Sequence, residues 1–540
     1  MKFQRASGIL LHPTSLPGPY GIGDLGPQAY AWVDFLAESG CKLWQVLPLG
    51  PTGYGDSPYQ CFSAFAGSPY LISPEFLLRD GLLHPNDLVE KTNFPAGPST
   101  MLRASRVDFG ALIPWKLNLL ERAFLRFSSD PGPVRRDPST LLRTSFDIFC
   151  AENASWLDDY ALFMALKESH GGGSWESWPE PLRKRDAAAL AKARESLTPH
   201  VLRFTFYQYL FFQQWHALKA YANANECGVQ IIGDMPIFVA YDSADVWAHP
   251  ELFYLDDEGQ PTVVAGVPPD YFSPTGQLWG NPLYRWDVHK ATGYTWWLER
   301  FRAVLKMVDI VRLDHFRGFA GYWEVPAGNP TAEIGRWVPG PGADFFDAVS
   351  RALSRATGEV EALPIIAEDL GVITPDVVDL RERFNLPGMK VLQFAFSGPD
   401  NPFLPHHYPP HCVAYTGTHD NDTARGWYES APENERDFAN RYLNRNPKSP
   451  TSGAKSACPG RQARETLQSS DFAWELIRAV WASVAVFALA PMQDLLDLGT
   501  EARMNYPSRL GGNWEWRMAE GALSEELKEE LINLNYLYSR

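Results

Sequence analysis

The sequence predicts an α/β fold, a (β/α)8 TIM barrel with mainly helical inserted subdomains. The chain has 540 residues, more than a single hydrophobic core usually contains, so insertions or further domains are expected. Short apolar runs recur along it, several of them end in polar or charged residues, and helical patterns follow them. Strands that alternate with helices in this way form a parallel barrel, whose active site lies at the carboxyl ends of the strands.

The clearest strand–loop–helix unit covers residues 364–384. Residues 364–367 are apolar, Thr374 suits a helix N-cap, and Pro375 suits the first helical position. Apolar residues then recur at helical spacing as far as Phe384. The other strand candidates are residues 8–11, 42–47, 229–233, 308–313, 390–394, 412–416 and 484–489.

The uneven spacing of these candidates predicts where the insertions lie. Residues 1–540 are predicted to form one catalytic barrel domain, with inserted helical subdomains at about 65–225, between the second and third strands. A second insertion, at about 240–300 between the third and fourth strands, is predicted to carry an active-site loop. Residues 266–282 are rich in Pro and Gly and predict a long loop beside the mouth, and residues 445–468 predict a mobile surface excursion.

Charge and composition exclude several classes of protein. The formal net charge is −16, whereas nucleic acid and anionic membranes require a basic surface, so neither is expected as a partner. The longest nearly apolar run, residues 479–490, is too short to span a bilayer, and the first residues lack the zones of a signal peptide. The six cysteines occur singly, which predicts reduced thiols in a cytoplasmic protein. The 19 Trp and 22 Tyr suit either a large core or flat-faced ligands such as sugars.

Three of the predicted strands end in acidic residues that a barrel would bring to one mouth. The fourth strand ends at Asp314, the fifth at Glu368 and the seventh at Asp420. Any one of these acids could instead cap a helix or pair with an arginine. Two carboxylates on opposite sides of a glycosidic bond can cleave it, with retention of configuration if they lie roughly 5 Å apart. The three acids together therefore predict a carbohydrate-active enzyme.

The neighbours of two of these acids distinguish their roles. Arg312 lies two residues before Asp314 and so on the same face of the strand, where it could hold Asp314 ionised. Glu368 has no basic residue within several positions, which suits a protonated general acid. These surroundings favour Asp314 as the nucleophile and Glu368 as the acid.

Further segments carry recognisable motifs. They are residues 18–24, 44–49, 53–54, 57–67, 233–239, 267–272, 276–286 and 513–517. Together with the segments around the three acids, they resemble the amylomaltase, or 4-alpha-glucanotransferase (disproportionating enzyme), family of the α-amylase superclan, over nearly the whole chain. Two features depart from the family pattern: Ser508 stands where glycine is expected, and residues 445–468 have no counterpart.

The resemblance implies a role for each matching residue. Asp314 looks like the nucleophile and Glu368 like the general acid/base. Asp420, with His419, looks like the group that grips and distorts the sugar at the cleavage site. The residues that resemble substrate contacts are Arg312, Asp234, Tyr59 and Ser57, the loop residues Asp270, Tyr271, Phe272, Gln277 and Trp279, and, at a second, remote glucan site, Tyr54.

Several of these residues have purely structural alternatives. The aromatic residues that could simply be packing residues are Tyr59, Tyr271 and Trp279. Asp234 could merely bond backbone amides of its own loop. Three histidines, at positions 406, 407 and 411, suggest a metal cluster, but the prolines around them and the lack of helical ligand spacing favour ordinary surface or core histidines. Residues 18–23 contain Gly-x-x-Gly-x-Gly without the lysine of a phosphate loop, so nucleotide binding is not favoured.

We therefore expect a 4-alpha-glucanotransferase that moves a segment of an α-1,4-glucan to the 4-hydroxyl of another glucan or of glucose by a retaining double displacement. No cofactor is expected, and the expected partners are maltodextrin and starch- or glycogen-derived glucans. The alternative is an α-1,4-glucan hydrolase, since water is only a different acceptor. The aromatic loop at 271–279 favours transfer because it could exclude water. A second alternative is a non-catalytic glucan-binding protein, against which the intact acids argue.

Overall fold

The computed structural model describes residues 3–88, 106–129, 138–224, 226–269, 273–357, 363–445, 472–507, 509 and 511–540. The strands are β1 (Ala6–Leu10), β2 (Leu43–Gln45), β3 (Gln230–Met235), β4 (Val263–Val267), β5 (Gln277–Pro282), β6 (Ile310–Leu313), β7 (Gly321–Pro326), β8 (Arg336–Pro339), β9 (Ile365–Ala367), β10 (Gly388–Val391), β11 (Cys412–Tyr415) and β12 (Phe487–Pro491). The helices are α1 (Pro27–Glu38), α2 (Pro74–Arg79), α3 (Phe109–Ser129), α4 (Pro138–Ser169), α5 (Glu180–Arg183), α6 (Ala187–Ser196), α7 (Thr198–Asn223), α8 (Ala244–Ala248), α9 (Trp286–Ala291), α10 (Thr295–Met307), α11 (Arg317–Ala320), α12 (Gly342–Thr357), α13 (Pro375–Arg383), α14 (Ala424–Ser430), α15 (Glu433–Tyr442), α16 (Phe472–Ala482), α17 (Met492–Leu495) and α18 (Glu525–Tyr538).

Eight parallel strands form the central barrel. Their order is β10–β11–β12–β1–β2–β3–β6–β9, and every neighbouring pair in this order is parallel. The backbone N–H of Ala367, at the end of β9, donates to the carbonyl of Pro387, just before β10, over 2.9 Å and closes the ring. The predicted (β/α)8 barrel is therefore confirmed, and each strand candidate from the sequence overlaps one of these strands.

Side chains alternate along the barrel strands and divide the core into two layers. Ile232 and Ile310 belong to a buried cluster that the barrel strands supply from one face. Their sequence neighbours Ile231 and Val311 belong to the larger cluster shared with the helices. Because both faces are buried, the strands are continuous apolar runs, which is typical of parallel sheets. Polar side chains enter this pattern mainly at the carboxyl ends of the strands.

Helix α7 ties the chain that follows β2 to the segment leading into β3. The described part of this connection holds α2 to α7, and α7 packs against α3 and α4. The side-chain amide of Gln208 accepts from the backbone N–H of Gly67 over 2.8 Å and donates to its carbonyl over 2.9 Å. Gln214 accepts from the N–H of Ser73 over 2.7 Å. These buried amides fix residues 67–73, which follow the predicted substrate contacts Ser57 and Tyr59 along the chain.

A second sheet corrects the loop prediction for residues 266–282. Its four antiparallel strands follow the order β5–β4–β7–β8. Residues 277–282 and the end of β4 are therefore strands, and among the described residues only 268–269 and 273–276 fit the loop prediction. Gly266 and Gly280 interrupt the alternation of side chains, so the strand pattern is absent from the sequence. The sequence analysis also missed β7 and β8, which follow the barrel strand β6.

The sequence also predicts no membrane-spanning segment, a surface excursion at 445–468 and unpaired cysteines. Among the residues with described positions, no helix is both long and apolar enough to cross a membrane. Apart from Arg445, the predicted excursion at 445–468 lies outside the described residues, and so does Ser508. The cysteines in the described ranges are free thiols: Cys41, Cys61, Cys150, Cys227 and Cys412.

Candidate active site

A buried arginine links the acids at the ends of the third and fourth barrel strands. The register of β3 and β6 pairs Asp234 with Arg312, whose Nη1 donates to both carboxylate oxygens of Asp234 over 2.8 and 2.7 Å. The same nitrogen lies 2.9 Å from Asp314 Oδ1, because residues two apart on a strand share a face. Burial favours a neutral guanidine, but Asp234 and Asp314 together raise the pKa of Arg312 well above its usual value. Arg312 therefore stays charged between two carboxylates, of which Asp314 is the more exposed.

Glu368 follows β9 and is held by two backbone amides. Its Oε2 accepts from the N–H of His315 and its Oε1 accepts from the N–H of Leu370, both over 2.8 Å. Burial, followed by the negative charge of Asp314, raises the pKa of Glu368 to about 7, although Arg312 and the two amides oppose this. A carboxylic acid can satisfy both N–H groups with its two oxygens and still point its proton elsewhere. Glu368 is therefore suited to give and to take a proton near neutral pH.

His315 connects the fourth and fifth strand ends through an unusual backbone conformation. Its φ is 53°, in the left-handed region that residues other than glycine rarely adopt. This conformation accompanies the hydrogen bond from its N–H to Glu368. Burial lowers the pKa of the His315 imidazole to about 4, so the ring is neutral at physiological pH. The ring meets Trp279 of β5 in an edge-to-face contact, with centroids 4.8 Å apart.

Asp420 and His419 follow β11 and reach the same group of residues. Asn505 Nδ2 donates to Asp420 Oδ1 over 2.6 Å, and His419 Nε2 lies 3.4 Å from the same oxygen. The His419 ring stacks on Tyr59, with centroids 5.1 Å apart. The Tyr59 hydroxyl in turn donates to Asp234 Oδ2 over 2.9 Å. A chain of direct contacts therefore joins the ends of the third, fourth, fifth and seventh barrel strands, which is an arrangement able to cleave a glycosidic bond.

Comparisons with known proteins agree with this geometry. A family model described as 4-alpha-glucanotransferase, glycoside hydrolase family 77, matches residues 11–524. The chain belongs to the 4-alpha-glucanotransferase family. It is 53% identical to the 4-alpha-glucanotransferase of Thermus thermophilus over 529 residues, 97% of each chain, and 47% identical to that of Synechocystis over 540 residues, 99% of this chain and 98% of the other.

Solved structures in the family share the same architecture. The amylomaltase of Streptococcus agalactiae, solved in complex with acarbose, is 38% identical, with a TM-score of 0.87 over 99% of this chain and 100% of that one. The amylomaltase of Corynebacterium glutamicum, at 19% identity, has the same fold, with a TM-score of 0.75 over 99% of this chain and 75% of that one. The predicted family, barrel fold and glucanotransferase activity are confirmed by these matches.

A buried carboxylate braces the loop that carries His419 and Asp420 in this family member. Asp494 follows β12, and its Oδ2 accepts from the hydroxyl of Thr416 over 2.6 Å. Its Oδ1 accepts from the N–H of Ala424, the first residue of α14, over 2.7 Å. Burial raises the pKa of Asp494 to about 6. Because Thr416 and Ala424 lie on either side of the loop, Asp494 fixes both of its ends.

Sequence reasoning missed Asp494, Asn505 and the role of His315. Asp494 could have been found, since it follows a barrel strand as the other three acids do. Asn505 lies 85 residues from Asp420 and has no local signal. His315 stands next to Asp314 in the sequence, but a histidine at this position does not predict a left-handed backbone conformation.

The structure describes only some of the remaining residues that the sequence predicts to contact the substrate. Ser57 Oγ accepts from the N–H of Tyr59 over 3.2 Å, and Trp279 Nε1 donates to Gln277 Oε1 over 3.2 Å. Tyr54 begins a short 3-10 turn, Tyr54–Asp56, and its side chain lies outside what the structure describes. Three loop residues of the prediction also lie outside the described residues: Asp270, Tyr271 and Phe272.

The three histidines considered as metal ligands make other contacts. In the part of the chain that the structure describes, no group of three or more His, Cys, Asp or Glu residues is placed to hold a metal ion. His406 Nδ1 lies 3.0 Å from Tyr442 Oη, and His411 Nε2 lies 2.9 Å from the carbonyl of Asn385. These rings are thus engaged with neighbouring protein groups.

Proposed function

We propose that the chain acts on maltodextrins and on starch- or glycogen-derived α-glucans as a retaining, disproportionating 4-alpha-glucanotransferase. It cleaves an α-1,4 bond, keeps the donor segment covalently bound, and joins that segment to the 4-hydroxyl of another glucan or of glucose. The observation that carries the proposal is the pair of Asp314, beside the Arg312 guanidinium, and Glu368, whose pKa is about 7. Retaining cleavage requires a carboxylate nucleophile and a second carboxyl group that gives and takes a proton, and these two residues suit those roles.

In the first step the donor bond is broken. The carboxylate of Asp314 attacks the anomeric carbon, and the bond from that carbon to the bridging oxygen breaks. Glu368 transfers its proton to this oxygen, so the leaving glucan departs as a neutral alcohol. The donor segment then remains as an ester on Asp314, and Glu368 is a carboxylate.

In the second step the new bond is made. Glu368 takes the proton from the 4-hydroxyl of the acceptor, and the acceptor oxygen attacks the anomeric carbon. The ester bond breaks, Asp314 is released as a carboxylate, and Glu368 is again protonated. Two inversions restore the α configuration. Arg312 faces Asp314 in both steps and stabilises its charge whenever the ester is absent.

Side chains around the acids are proposed to hold the sugar. Asp420 and His419 bind and distort the glucosyl unit at the cleavage site, with Asn505 fixing Asp420. Tyr59 presents its ring beside His419 while its hydroxyl stays with Asp234. Ser57, two residues before Tyr59, completes the donor side. Such polar groups on fixed elements orient a substrate without being consumed in the reaction.

The choice of a sugar instead of water as acceptor is proposed to depend on the loop before β5 and on β5 itself. Gln277 and Trp279 are joined by a side-chain hydrogen bond, and Trp279 contacts the His315 ring beside Glu368. We assign Asp270, Tyr271 and Phe272 to the same cover over the bound glucan. A cover that excludes water while the ester exists favours transfer. Tyr54 is assigned to a second, remote glucan site.

We also propose that residues 1–540 make one catalytic domain in the cytoplasm. The helical segment at about 65–225 and the segment at about 240–300 are then insertions that shape the mouth. The free cysteines and the net charge of −16 support a reducing compartment and a partner that is neither nucleic acid nor membrane.

Incubation of the protein with maltotriose alone tests the proposal. Transfer produces a ladder of longer maltodextrins together with glucose, whereas hydrolysis produces only maltose and glucose. Asp314→Asn is expected to abolish the ladder, by more than about four orders of magnitude in rate, because the covalent step is lost. Its melting temperature serves as the folding control. A full ladder from folded Asp314→Asn would show that another residue is the nucleophile.

A further inference from the structure

Trp337 is an exposed tryptophan beside the catalytic loops. All 19 tryptophans of the chain lie in the described ranges, and Trp337, on β8, is the most exposed of them, at 42%. Tryptophan is usually well buried, since its ring has the largest apolar surface of any side chain. An exposed and well-ordered tryptophan is typical of a surface that binds a ligand.

Neighbouring groups hold the Trp337 ring in place. Trp337 pairs directly with Trp323 across β8 and β7, and the two rings meet at 67° with centroids 5.4 Å apart. Trp323 is itself fixed by a hydrogen bond of 2.9 Å from its Nε1 to the carbonyl of Ala332. The guanidinium of Arg317 lies 3.8 Å from the centre of the Trp337 ring. The ring is thus oriented before any ligand arrives, which lowers the entropy cost of binding.

Arg317 also places Trp337 relative to the catalytic acids. It is the first residue of α11, three residues after Asp314, and its Nη1 donates to the carbonyl of Val372, four residues after Glu368. Trp337 therefore stands at the rim where the loops of both carboxyl groups meet. Glu368 protonates the leaving oxygen and deprotonates the acceptor hydroxyl, so the acceptor chain extends from this side of the nucleophile.

We propose that Trp337 is a platform for a distal part of the acceptor glucan. The proposal rests on the proposed function, and it adds a contact that acts on long acceptors and not on a single sugar. A glucosyl unit offers a flat face of C–H groups to an aromatic ring, and Trp337 leaves 42% of its surface open to such a contact. The edge strand β8 leaves the ring accessible at the end of the second sheet.

The size of the surface favours a sugar chain over a protein partner. A tryptophan contributes about 150–250 Å² on full burial, whereas each side of a stable protein interface buries about 800 Å². Two further exposed apolar residues lie on neighbouring segments, Val372 and, three residues before Trp337, Ile334. Three such side chains match a short run of glucosyl units better than a folded protein.

The test compares acceptors of different length in one assay. Maltotriose serves as donor, and the acceptors are glucose and maltoheptaose that carry a fluorescent label at the reducing end, so only elongated acceptors are counted. In Trp337→Ala, the ratio of kcat/KM for labelled maltoheptaose to that for labelled glucose is expected to fall about three- to tenfold. Trp337→Phe should recover part of the ratio. Tyr536→Ala is the matched control, because Tyr536 is a highly exposed aromatic on α18 and should keep the wild-type ratio.

Three results would overturn the proposal that Trp337 contacts the acceptor. An unchanged ratio in Trp337→Ala would show that the acceptor does not touch the ring. Equal losses with both acceptors would show that Trp337 only supports Arg317. A change in sedimentation of Trp337→Ala with an unchanged ratio would assign the patch to a protein interface. If the wild-type protein elongates neither labelled acceptor, the proposed transferase function is wrong, and this result is distinct from the three above.

Discussion

The surroundings of Glu368 predict the pH dependence of donor cleavage. Burial, then the charge of Asp314, raises the pKa of Glu368 from 4.5 to about 7. The residue must be protonated when the leaving oxygen departs, so kcat/KM for the donor is highest below this pKa and falls as the pH rises through it. About nine-tenths of Glu368 is protonated at pH 6 and about one-tenth at pH 8, which predicts a roughly tenfold fall in kcat/KM between them.

Two donors separate this effect from a general loss of activity. Initial glucose release from dilute maltotriose, measured from pH 5 to 9, should show the fall. Maltosyl fluoride should not, because fluoride leaves without a proton. Likewise Glu368→Ala should lose about 10²- to 10⁴-fold on maltotriose and far less on the fluoride. A level profile for maltotriose up to pH 9, or the same fall with both donors, would refute Glu368 as the acid.

Three further substitutions test the groups around the acids. Arg312→Ala removes the partner of a buried carboxyl group, so the free energy of unfolding in urea should drop by about 3–5 kcal/mol, and a drop below 1 kcal/mol would contradict a stabilising Arg312–Asp234 pair. Asn505→Ala removes the 2.6 Å hydrogen bond to Asp420 and should lower kcat/KM about tenfold at unchanged melting temperature; undiminished activity would remove it from the site. Asp494→Ala orphans a hydroxyl and an amide and should cost about 2–5 kcal/mol in urea unfolding, whereas Asp494→Asn should cost less; equal costs would contradict the brace.

The barrel could be predicted because its signal is local. Several barrel strands are short apolar runs followed by a helix, and for β9 and α13 both properties are visible within about twenty residues. The second sheet lacks such a signal. Its strand β4 pairs with β5 and with β7, and the barrel strand β6 separates β5 from β7 in the sequence. In addition, Gly266 interrupts the alternation of side chains along β4. Those strands depend on partners that single-sequence reasoning does not supply.

The three acids could be proposed for a related reason. Parallel strands must end at one mouth, so topology alone brings Asp314, Glu368 and Asp420 together once the strands are known. Side-chain hydrogen bonds do not follow such a rule. Asn505 and Asp494 reach their partners across 85 and 78 residues, and only three-dimensional structure shows those contacts.

The closure of the barrel has a consequence for how the protein responds to heat. In the described chain, the backbone link between β9 and β10 is the hydrogen bond from Ala367 to Pro387, whereas the other neighbouring strands share ladders of paired residues. Asp369 reinforces this seam by accepting from the N–H of Met389 over 2.7 Å and from Arg381 over 2.6 Å. On heating, the barrel should therefore open first between β9 and β10, next to Glu368 in the sequence. Amide hydrogen exchange at Ala367 should therefore accelerate on warming before the other barrel strands do, and catalysis should fade with that local opening, below the temperature of global melting.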